Sequence, residues 1–148
     1  MRTHELEHYL HEHIPLSSAM QVRVLAIDPD GVTLGAPLAP NINHRDTVFG
    51  GSASALAILS AWSLVRVALA DMGGCRIVIQ RNSVDYVAPM LGDFTARSFV
   101  SDPETWPRFR LMLERKGRAR LTVGCLLESN GVACGSFEGD FVAIRMAE

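Results

Sequence analysis

The chain has 148 residues, a length typical of one folded domain. Hydrophobic residues make up 48% of it and charged residues 20%, which is enough apolar material for one core without disulfide or metal staples. The formal net charge of -2 argues against nucleic acid or an anionic membrane surface as the main partner. We therefore expect a single domain over residues 1–148.

The cysteines and the N-terminus bear on the cellular compartment. Cys75, Cys125 and Cys134 are odd in number, lack CxxC spacing and lie in apolar strand-like runs. This pattern is typical of buried, free thiols in a reducing compartment, and it does not favour a catalytic thiol. The first residues are charged and histidine-rich and lack the apolar segment of a secretory signal. A cytoplasmic location is the expectation.

The first part of the chain predicts a helix followed by a β-hairpin. Residues 3–13 carry a narrow apolar stripe, and Pro15 ends that helix. Residues 21–27 alternate as a strand, and residues 32–36 return as a second strand. The Asp-Pro-Asp-Gly sequence at 28–31 favours a turn between them, because proline presets φ and glycine accepts positive φ.

A polar loop over residues 37–51 leads into a long apolar helix predicted over residues 52–72, which Gly73-Gly74 ends. Residues 52–70 would be long enough to cross a membrane. However, they are rich in alanine and serine and include Arg66. These features favour a helix buried in a protein core, without a membrane as partner.

Beyond this helix the apolar pattern changes to a period of two residues. Strands are predicted over residues 76–87, 93–100, 109–115, 119–128 and 132–144, with hairpin turns at 116–117 and 130–131. A run of antiparallel strands with one helix that is apolar nearly all round implies a curved antiparallel sheet wrapped around a long central helix. This arrangement is the α+β hot-dog fold.

The same pattern predicts self-association. A single wrapped sheet leaves its outer face and its edges poorly covered. Leu111, Met112 and Leu113 would also place apolar side chains on both faces of the strand predicted at 109–115. We therefore expect a homo-oligomer, either a dimer or a tetramer.

Three segments resemble known proteins. Residues 41–52 read NINHRDTVFGGS and are followed closely by Trp62, and residues 13–20 read HIPLSSAM. Both segments resemble the thioesterase-like domain of the YiiD family, and the first is the more specific. Residues 85–93, DYVAPMLGD, are similar to the strand and turn after the helix in hot-dog thioesterases generally. The likeness extends over nearly the whole chain.

The resemblance implies a hot-dog fold, a thioesterase-like activity and an acyl thioester of coenzyme A or acyl carrier protein as ligand. Coenzyme A or phosphopantetheine would enter as part of the substrate, so neither a separate cofactor nor a metal is expected. In many hot-dog thioesterases an asparagine precedes a His-Gly-Gly triplet by the spacing that separates Asn43 from Phe49. Here the triplet is Phe49-Gly50-Gly51, and its histidine is absent.

Thioester hydrolysis needs donors for the carbonyl oxygen and a group that delivers water. Gly50 and Gly51 suit the first task, because the first N–H groups of a helix lack internal partners and glycine permits close approach. Their alternative role is to turn the chain. Asn43 and His44 are candidates for the second task, and His44 could instead hold the loop through hydrogen bonds to the backbone.

This sequence differs from the related thioesterases at the position of the catalytic acid. Related thioesterases usually carry Asp or Glu on the central helix, near Ile58 of this chain, yet no acidic residue lies between Asp46 and Asp71. Asp46 could supply the carboxylate from the loop, or it could cap a turn. A partner subunit could contribute Asn82 or Asp85. A catalytic role is not favoured for the helix serines Ser54 and Ser60, because such serines usually bond their own preceding turn.

Further residues are candidates for binding the substrate. Thr47, Phe49 and Ser52 flank the glycines within the matched motif, and Ser54 and Asn82 follow on the helix and the next strand. Arg118, which lies with Arg115, Lys116 and Arg120 around the turn predicted at 116–117, could meet the phosphates of coenzyme A or an acidic carrier protein. Charges beside a turn are more often only solvated.

A functional role is less favoured for the histidines of the first helix and for the two tryptophans. His4, His8 and His11 share one helical face, where they could bind a metal or simply face solvent, and the solvated face is favoured. Trp106, in a segment expected to be a loop, could cover an acyl tunnel, whereas Trp62 is expected in the core.

Two alternatives to a thioesterase stay open. A hot-dog hydratase or dehydratase would need a histidine and an acid across the site, and the helix without an acid argues against it. A non-catalytic binder of acyl thioesters is consistent with that same apolar helix.

Overall fold

The computed structural model of the protein describes residues 1–146. The elements in chain order are α1 (Thr3–His13), α2 (Pro15–Ala19), β1 (Arg23–Asp28), β2 (Gly31–Ala36), α3 (Gly50–Ala68), β3 (Cys75–Tyr86), β4 (Phe94–Phe99), α4 (Thr105–Lys116), β5 (Arg118–Ser129) and β6 (Val132–Arg145). Single 3-10 turns at Ala39–Asn41 and Ala70–Met72 flank α3. The sheet is antiparallel throughout, with strand order β1-β2-β4-β5-β6-β3.

The central helix α3 lies within the curve of this sheet. It contacts β2, β3, β4, β5 and β6. Its buried residues are Ala53, Leu56, Ala57, Leu59, Ser60, Ala61, Ser63, Leu64 and Val65. The helix is long and apolar enough to cross a membrane by length and composition alone, and its contacts with five strands account for that apolar character. The α+β hot-dog fold expected from the sequence is confirmed.

Buried serines attach α3 to the sheet. Ser60 Oγ lies 2.9 Å from the Val32 carbonyl oxygen and 3.0 Å from that of Ala96. Ser98 Oγ in turn lies 3.0 Å from the Ser60 carbonyl oxygen. The expectation that a serine here bonds its own helix is therefore wrong for Ser60, because its hydroxyl lies against carbonyl oxygens of two neighbouring strands. These bonds satisfy hydroxyls that would otherwise destabilise the core.

The two edges of the sheet differ. At β1, the Glu7 carboxylate accepts a hydrogen bond from the Val24 N–H at 2.9 Å, and His11 Nε2 lies 2.6 Å from the Val22 carbonyl oxygen. Helix α1 thus covers that edge. At β3, eight of the twelve residues are exposed. An uncovered edge strand is a ready surface for pairing with another chain.

One predicted strand is wrong. Residues 109–115 lie in helix α4, where Phe109 and Leu113, one turn apart, are buried in the core. Leu111 and Met112 are exposed on the other side of this helix. Residues 111–113 therefore do not place apolar side chains on both faces of a strand, and they give no support to self-association.

The end of α4 explains the error at the predicted turn. Gly117 has φ of 71° and its N–H donates to the Leu113 carbonyl, so it caps the helix and does not form a hairpin turn at 116–117. Trp106 also lies in α4, with its ring edge-on to Phe109 at 6.1 Å between centroids, and so it is not in a loop. Period-two and helical patterns are hard to separate in so short a run.

An ion pair joins α4 to the end of α3. The Arg110 guanidinium donates to both oxygens of Asp71, at 3.1 and 2.8 Å, and to the Ala68 carbonyl at 2.9 Å. The hydrogen bond from Arg110 holds the pKa of Asp71 below its ordinary value. The folded state therefore binds this proton less tightly than the unfolded state.

We expect Asp71→Asn to lower the melting temperature near neutral pH and to have less effect in acid. Because the folded pKa is depressed, the stabilisation is present above the unfolded pKa, about 3.9, and is lost as the pH falls through the folded pKa. Thermal melts of both proteins across that range measure the difference. Asp102→Asn is the matched control, since the Asp102–Arg108 pair is local and exposed. A gap that stays constant with pH would contradict the assignment.

Candidate functional site

The loop before α3 is organised by Asn43. Its Oδ1 accepts hydrogen bonds from the Arg45 N–H at 2.8 Å and the Thr47 N–H at 3.2 Å, and its Nδ2 donates to Thr47 Oγ1 at 2.9 Å. Its backbone N–H also donates to the Thr47 carbonyl. The side chain thus folds the loop over itself. This geometry gives Asn43 a positioning function for its neighbours.

A second asparagine anchors the loop to the fold. Asn41 is buried, and its Nδ2 donates to the carbonyls of Met20, at 3.0 Å, and Pro37, at 2.8 Å. Its own carbonyl accepts the Phe49 N–H at 2.8 Å. Within residues 1–146 its Oδ1 has no partner. No role was predicted for Asn41, although it is the first asparagine of the matched motif.

The N-terminus of α3 is open. No side chain caps it, and the first turn contains no acidic residue. Neither the Gly50 N–H nor the Gly51 N–H has an acceptor within residues 1–146. These two donors stand at the positive end of a 19-residue helix. Such an arrangement can stabilise a negative charge that develops on a carbonyl oxygen.

The last residue of β3 lies against this helix end. The Tyr86 hydroxyl donates to the Gly50 carbonyl at 3.0 Å. A Cβ on Gly50 would lie 3.6 Å from the Tyr86 ring, an ordinary contact, whereas a Cβ on Gly51 would lie 2.4 Å from the Phe49 ring. Tyr86 was missed by the sequence reasoning, and its only signal was its place in the segment 85–93.

Exposed apolar side chains surround the open helix end. Ile42, Phe49, Tyr86, Val87 and Leu91 have 45%, 56%, 57%, 75% and 63% of their surface exposed. They come from the loop, the end of β3 and the turn after it. We call these five residues the apolar rim. A contiguous group of exposed apolar residues commonly marks a binding surface.

The loop tip carries the polar candidates. His44 and Asp46 are both exposed, and Asp46 has φ of 62°. Its N–H lies 3.3 Å from the Asn43 carbonyl oxygen, which is a turn contact. Aspartate is one of the few residues that tolerates this left-handed conformation. Chain geometry keeps Asp46 within roughly 15 Å of Gly50.

The helix and strand candidates lie further along the line where α3 packs beside β3. Gly50 contacts Tyr86, and Trp62 Nε1 donates to the Ile77 carbonyl at 3.1 Å. Ser54 and Ile58 lie between them on the same helical stripe, so they face β3. Asn82 is exposed and shares with Tyr86 the sheet face toward α3. Ser52 is half-buried in the first turn of α3.

Two candidates are separated from this helix end. Arg118 pairs in register with Ile144, which also pairs with Arg76, at the end of β3 opposite Tyr86. Ten residues of strand correspond to roughly 33 Å. Asp85 points to the outer face of the sheet, next to Ser136. Neither side chain lies beside Gly50 of its own chain.

Cys125 and two histidines of α1 have surroundings that explain them without a catalytic function. Cys125 is buried in the core, and this burial raises the pKa of its thiol to about 12, so it stays protonated. Within residues 1–146 no three histidine, cysteine or acidic side chains are grouped to hold a metal ion. Of the histidines in α1, His8 lies 3.3 Å from Glu12 and His11 contacts the β1 edge.

The fold has close relatives among solved structures. A protein of unknown function from Chlorobaculum tepidum TLS matches with TM-score 0.91 and 27% identity, covering 97% of this chain and 94% of its own. A protein from Shewanella oneidensis, described as a "putative thioesterase", matches with TM-score 0.85 and 27% identity, covering 96% of both chains. A thioesterase from Haemophilus influenzae, at TM-score 0.79 and 13% identity over 100% and 94%, supports the fold alone.

The sequence comparison agrees with the structural one. Residues 3–145 match the model of a family described as "Putative thioesterase (yiiD_Cterm)". The match includes the loop, the open helix end and the apolar rim. The chain belongs to this YiiD_C family of thioesterase-like hot-dog domains.

Proposed function

We propose that the protein hydrolyses acyl thioesters of coenzyme A or acyl carrier protein. The observation that carries this proposal is the uncapped N-terminus of α3, whose Gly50 and Gly51 N–H groups have no acceptor within residues 1–146. The apolar rim beside it suits an acyl chain or the pantetheine arm. Membership of the YiiD_C family supports the same activity.

The chemistry requires no resident cofactor. Water attacks the thioester carbonyl, and the oxygen of the tetrahedral intermediate is held by the N–H groups of the first turn of α3. The carbon–sulfur bond then breaks, and the thiolate takes up the proton that the base removed from water. The products are a carboxylic acid and the free thiol of coenzyme A or of the carrier's phosphopantetheine.

The general base comes from the loop in this proposal. No acidic residue lies in α3, so the helix cannot supply the carboxylate that related enzymes carry there. Asp46 and His44 are exposed near the helix end and can reach solvent water. Asn43 folds the loop that carries both residues, through hydrogen bonds from the N–H groups of Arg45 and Thr47. Thr47 takes part in those same bonds.

A second copy of the chain would cover the open edge. The exposed strand β3 offers unpaired backbone groups for antiparallel addition. Such pairing would continue the sheet and bring a neighbouring chain toward the apolar rim and Asn82. We propose this homodimer in the cytoplasm as the working form of the enzyme.

A non-catalytic acyl-thioester binder is the second candidate. The observation in its favour is the apolar stripe of α3, where Ile58 stands at the position of the usual acid. A binder would use the same apolar rim and would release no thiol.

We expect thiol release from at least one member of a panel of acyl-coenzyme A and acyl-carrier thioesters of different chain lengths. Free thiol is measured with a chromogenic disulfide against buffer alone. Rates no faster than buffer, with ligand binding intact, would identify the binder. Loss of the double bond of an enoyl thioester without thiol release would identify a hydratase.

We expect Gly50→Pro to lower turnover by about 10² to 10³, the effect of removing one oxyanion donor. Proline removes the N–H, fits the first helical position, and follows a residue whose φ of -60° and ψ of 132° it accepts. Gly50→Ala is the matched control because it keeps the N–H and has room beside Tyr86. Equal activity of the two variants would exclude the Gly50 N–H as a donor.

We expect Asp46→Asn to lower turnover by about 10² or more with little change in apparent substrate affinity, since a general base contributes about 10² to 10⁴. Asp46→Gly is the matched control for backbone conformation, because glycine accepts φ of 62°. Loss of turnover in both variants would identify the Asp46 carboxylate as the general base. Full activity in both would leave Asp46 with only its function in the turn.

His44→Ala and Asn43→Ala complete this series. Each should lower turnover, and a loss in His44→Ala with active Asp46→Asn would make His44 the base. Rates within about threefold of wild type for all of them, roughly 0.7 kcal/mol of barrier, would place the base elsewhere. Because Asn43 folds the loop, its variant should also be checked by thermal melting.

A further inference from the structure

We infer that Tyr86 is a positioning residue for an oxyanion donor at the start of α3. The inference rests on the proposed thioesterase function and names a residue that assists the same site. The Tyr86 hydroxyl donates a hydrogen bond to the Gly50 carbonyl oxygen at 3.0 Å. That oxygen and the Gly51 N–H belong to one peptide group. Tyr86 therefore holds the peptide whose N–H is one of the two free donors of the helix.

The first turn of α3 leaves two donors for a ligand. The Ser52 and Ala53 N–H groups both donate to the Phe49 carbonyl oxygen, at 2.9 and 3.1 Å. The Gly50 and Gly51 N–H groups have no acceptor within residues 1–146. The Phe49 carbonyl belongs to the same peptide as the Gly50 N–H, so two backbone bonds of the first turn already hold that peptide.

The next peptide, between Gly50 and Gly51, lies where the helix restrains the chain least. Helix ends fray, and glycine is a poor helix former because it has the most conformational freedom to lose. Two successive glycines begin α3, and no side chain caps its N-terminus. The hydrogen bond from Tyr86 restrains this peptide from outside the helix.

A stiffer residue cannot replace this restraint at position 51. A Cβ on Gly51 would lie 2.4 Å from the Phe49 ring, nearer than real Cβ contacts allow. Alanine there would require the Phe49 ring to move. A Cβ on Gly50 would lie 3.6 Å from the Tyr86 ring, so the tyrosine ring stands beside the same peptide. The orientation of the peptide therefore depends on Tyr86.

Tyr86 is suited to this task because its backbone belongs to the sheet. It is the last residue of β3 and pairs in register with Gly135 of β6. The next two N–H groups, of Val87 and Ala88, both donate to the Cys134 carbonyl oxygen, at 2.9 and 3.1 Å. The hydroxyl thus reaches the helix from a fixed point on a paired strand.

The loop before α3 is tied to the segment after β3. The Val48 N–H donates to the Met90 carbonyl oxygen at 3.0 Å, and the Phe49 N–H donates to that of Asn41 at 2.8 Å. Asn41 is itself buried. Backbone bonds close by in the chain therefore hold the start of α3 as well as the end of β3.

The bond from Tyr86 has two effects on the Gly51 N–H. It fixes the plane of the peptide, so that the N–H keeps one direction before the substrate binds, and preorganised donors are those that stabilise an oxyanion. It also polarises the peptide, because hydrogen bonds in a chain strengthen one another, by about 10–30% per bond. The Gly51 N–H thereby becomes a better donor to the thioester carbonyl oxygen.

The same bond contributes little to the stability of the fold. Tyr86 and its hydrogen bond are exposed, and such a bond replaces a bond to water with little net gain. The Tyr86 ring also belongs to the apolar rim, where acyl chains would bind. A function in binding alone would change KM, whereas a positioning function changes kcat.

Tyr86→Phe tests the inference because it removes the hydroxyl and keeps the ring. We expect kcat to fall by about tenfold, a smaller loss than the about 10² to 10³ for a whole donor, with KM and the melting temperature nearly unchanged. Tyr9→Phe is the matched control. Tyr9 is the other tyrosine of the chain and stacks on Trp62, further along α3. Its variant should keep the wild-type kcat.

NMR tests the hydrogen bond without turnover. We expect Tyr86→Phe to shift the Gly51 amide nitrogen and the Gly50 carbonyl carbon. Tyr9→Phe should shift neither. The ligand is a ketone analogue of the tightest-binding acyl-coenzyme A of the panel, with a methylene group between sulfur and carbonyl. It should move the Gly51 amide proton downfield in the wild type and less in Tyr86→Phe.

A double variant assigns the effect to one donor. Gly50→Pro removes the Gly50 N–H and keeps the Gly50 carbonyl, which accepts the bond from Tyr86. Tyr86→Phe should therefore lower kcat by about the same factor in that background as in the wild type. Disappearance of the effect there would contradict a function through the Gly51 N–H.

Three further results would overturn the inference. They are a wild-type kcat in Tyr86→Phe, an effect on KM alone, and a loss of kcat with unchanged Gly50 and Gly51 resonances. The last would mean that the hydroxyl acts directly on the substrate. If the wild type releases no thiol, the proposed function fails, and the ligand-induced shift of the Gly51 amide proton then decides separately whether Tyr86 positions this donor.

Discussion

The structure depends on the burial of one apolar helix inside a curved sheet. From Gly50 to Val65, α3 carries no charged side chain, and it can be stable in water only where strands surround it. Ser60 fixes its position against β2 and β4 through the carbonyls of Val32 and Ala96. Helix α4 then closes the core near the other end of α3 through Phe109 and Leu113.

This burial also creates the candidate site. A helix that runs through a core must begin at its boundary, and the first N–H groups of α3 emerge there without a cap. Asn41 and Asn43 hold the preceding loop at that point, one through buried backbone carbonyls and the other through the loop itself. The donors are thereby oriented before any ligand arrives, which is the condition for electrostatic stabilisation of an oxyanion.

The two open surfaces of the sheet have different physical characters. The β3 edge presents backbone groups, which pair with any extended strand. The outer face presents exposed charged side chains of both signs from β3, β5 and β6. Helix α1 closes the β1 edge through Glu7 and His11, so growth of the sheet is possible on one side only.

Much of the fold was determined by local sequence. The period-two pattern of residues 119–144, the Asn-Gly turn and the long apolar helix each follow from side-chain spacing, and together they require a wrapped sheet. The resemblance of residues 41–52 identified the site loop. The pattern gave a wrong prediction at residues 109–115, because so short an apolar run fits a helix or a strand equally well. Only the packed structure shows that Phe109 and Leu113 are buried on one side of a helix.

The contacts between elements that are distant in the sequence were decided only by the tertiary structure. Tyr86 reaches Gly50 only because β3 runs beside α3 in the folded sheet, and Arg118 is remote from the helix end because β5 begins at the other end. The charged side chains of β3, β5 and β6 share one outer face only because the three strands align in register. Sequence spacing determines which face of one element is apolar, whereas the distances between elements depend on how they pack.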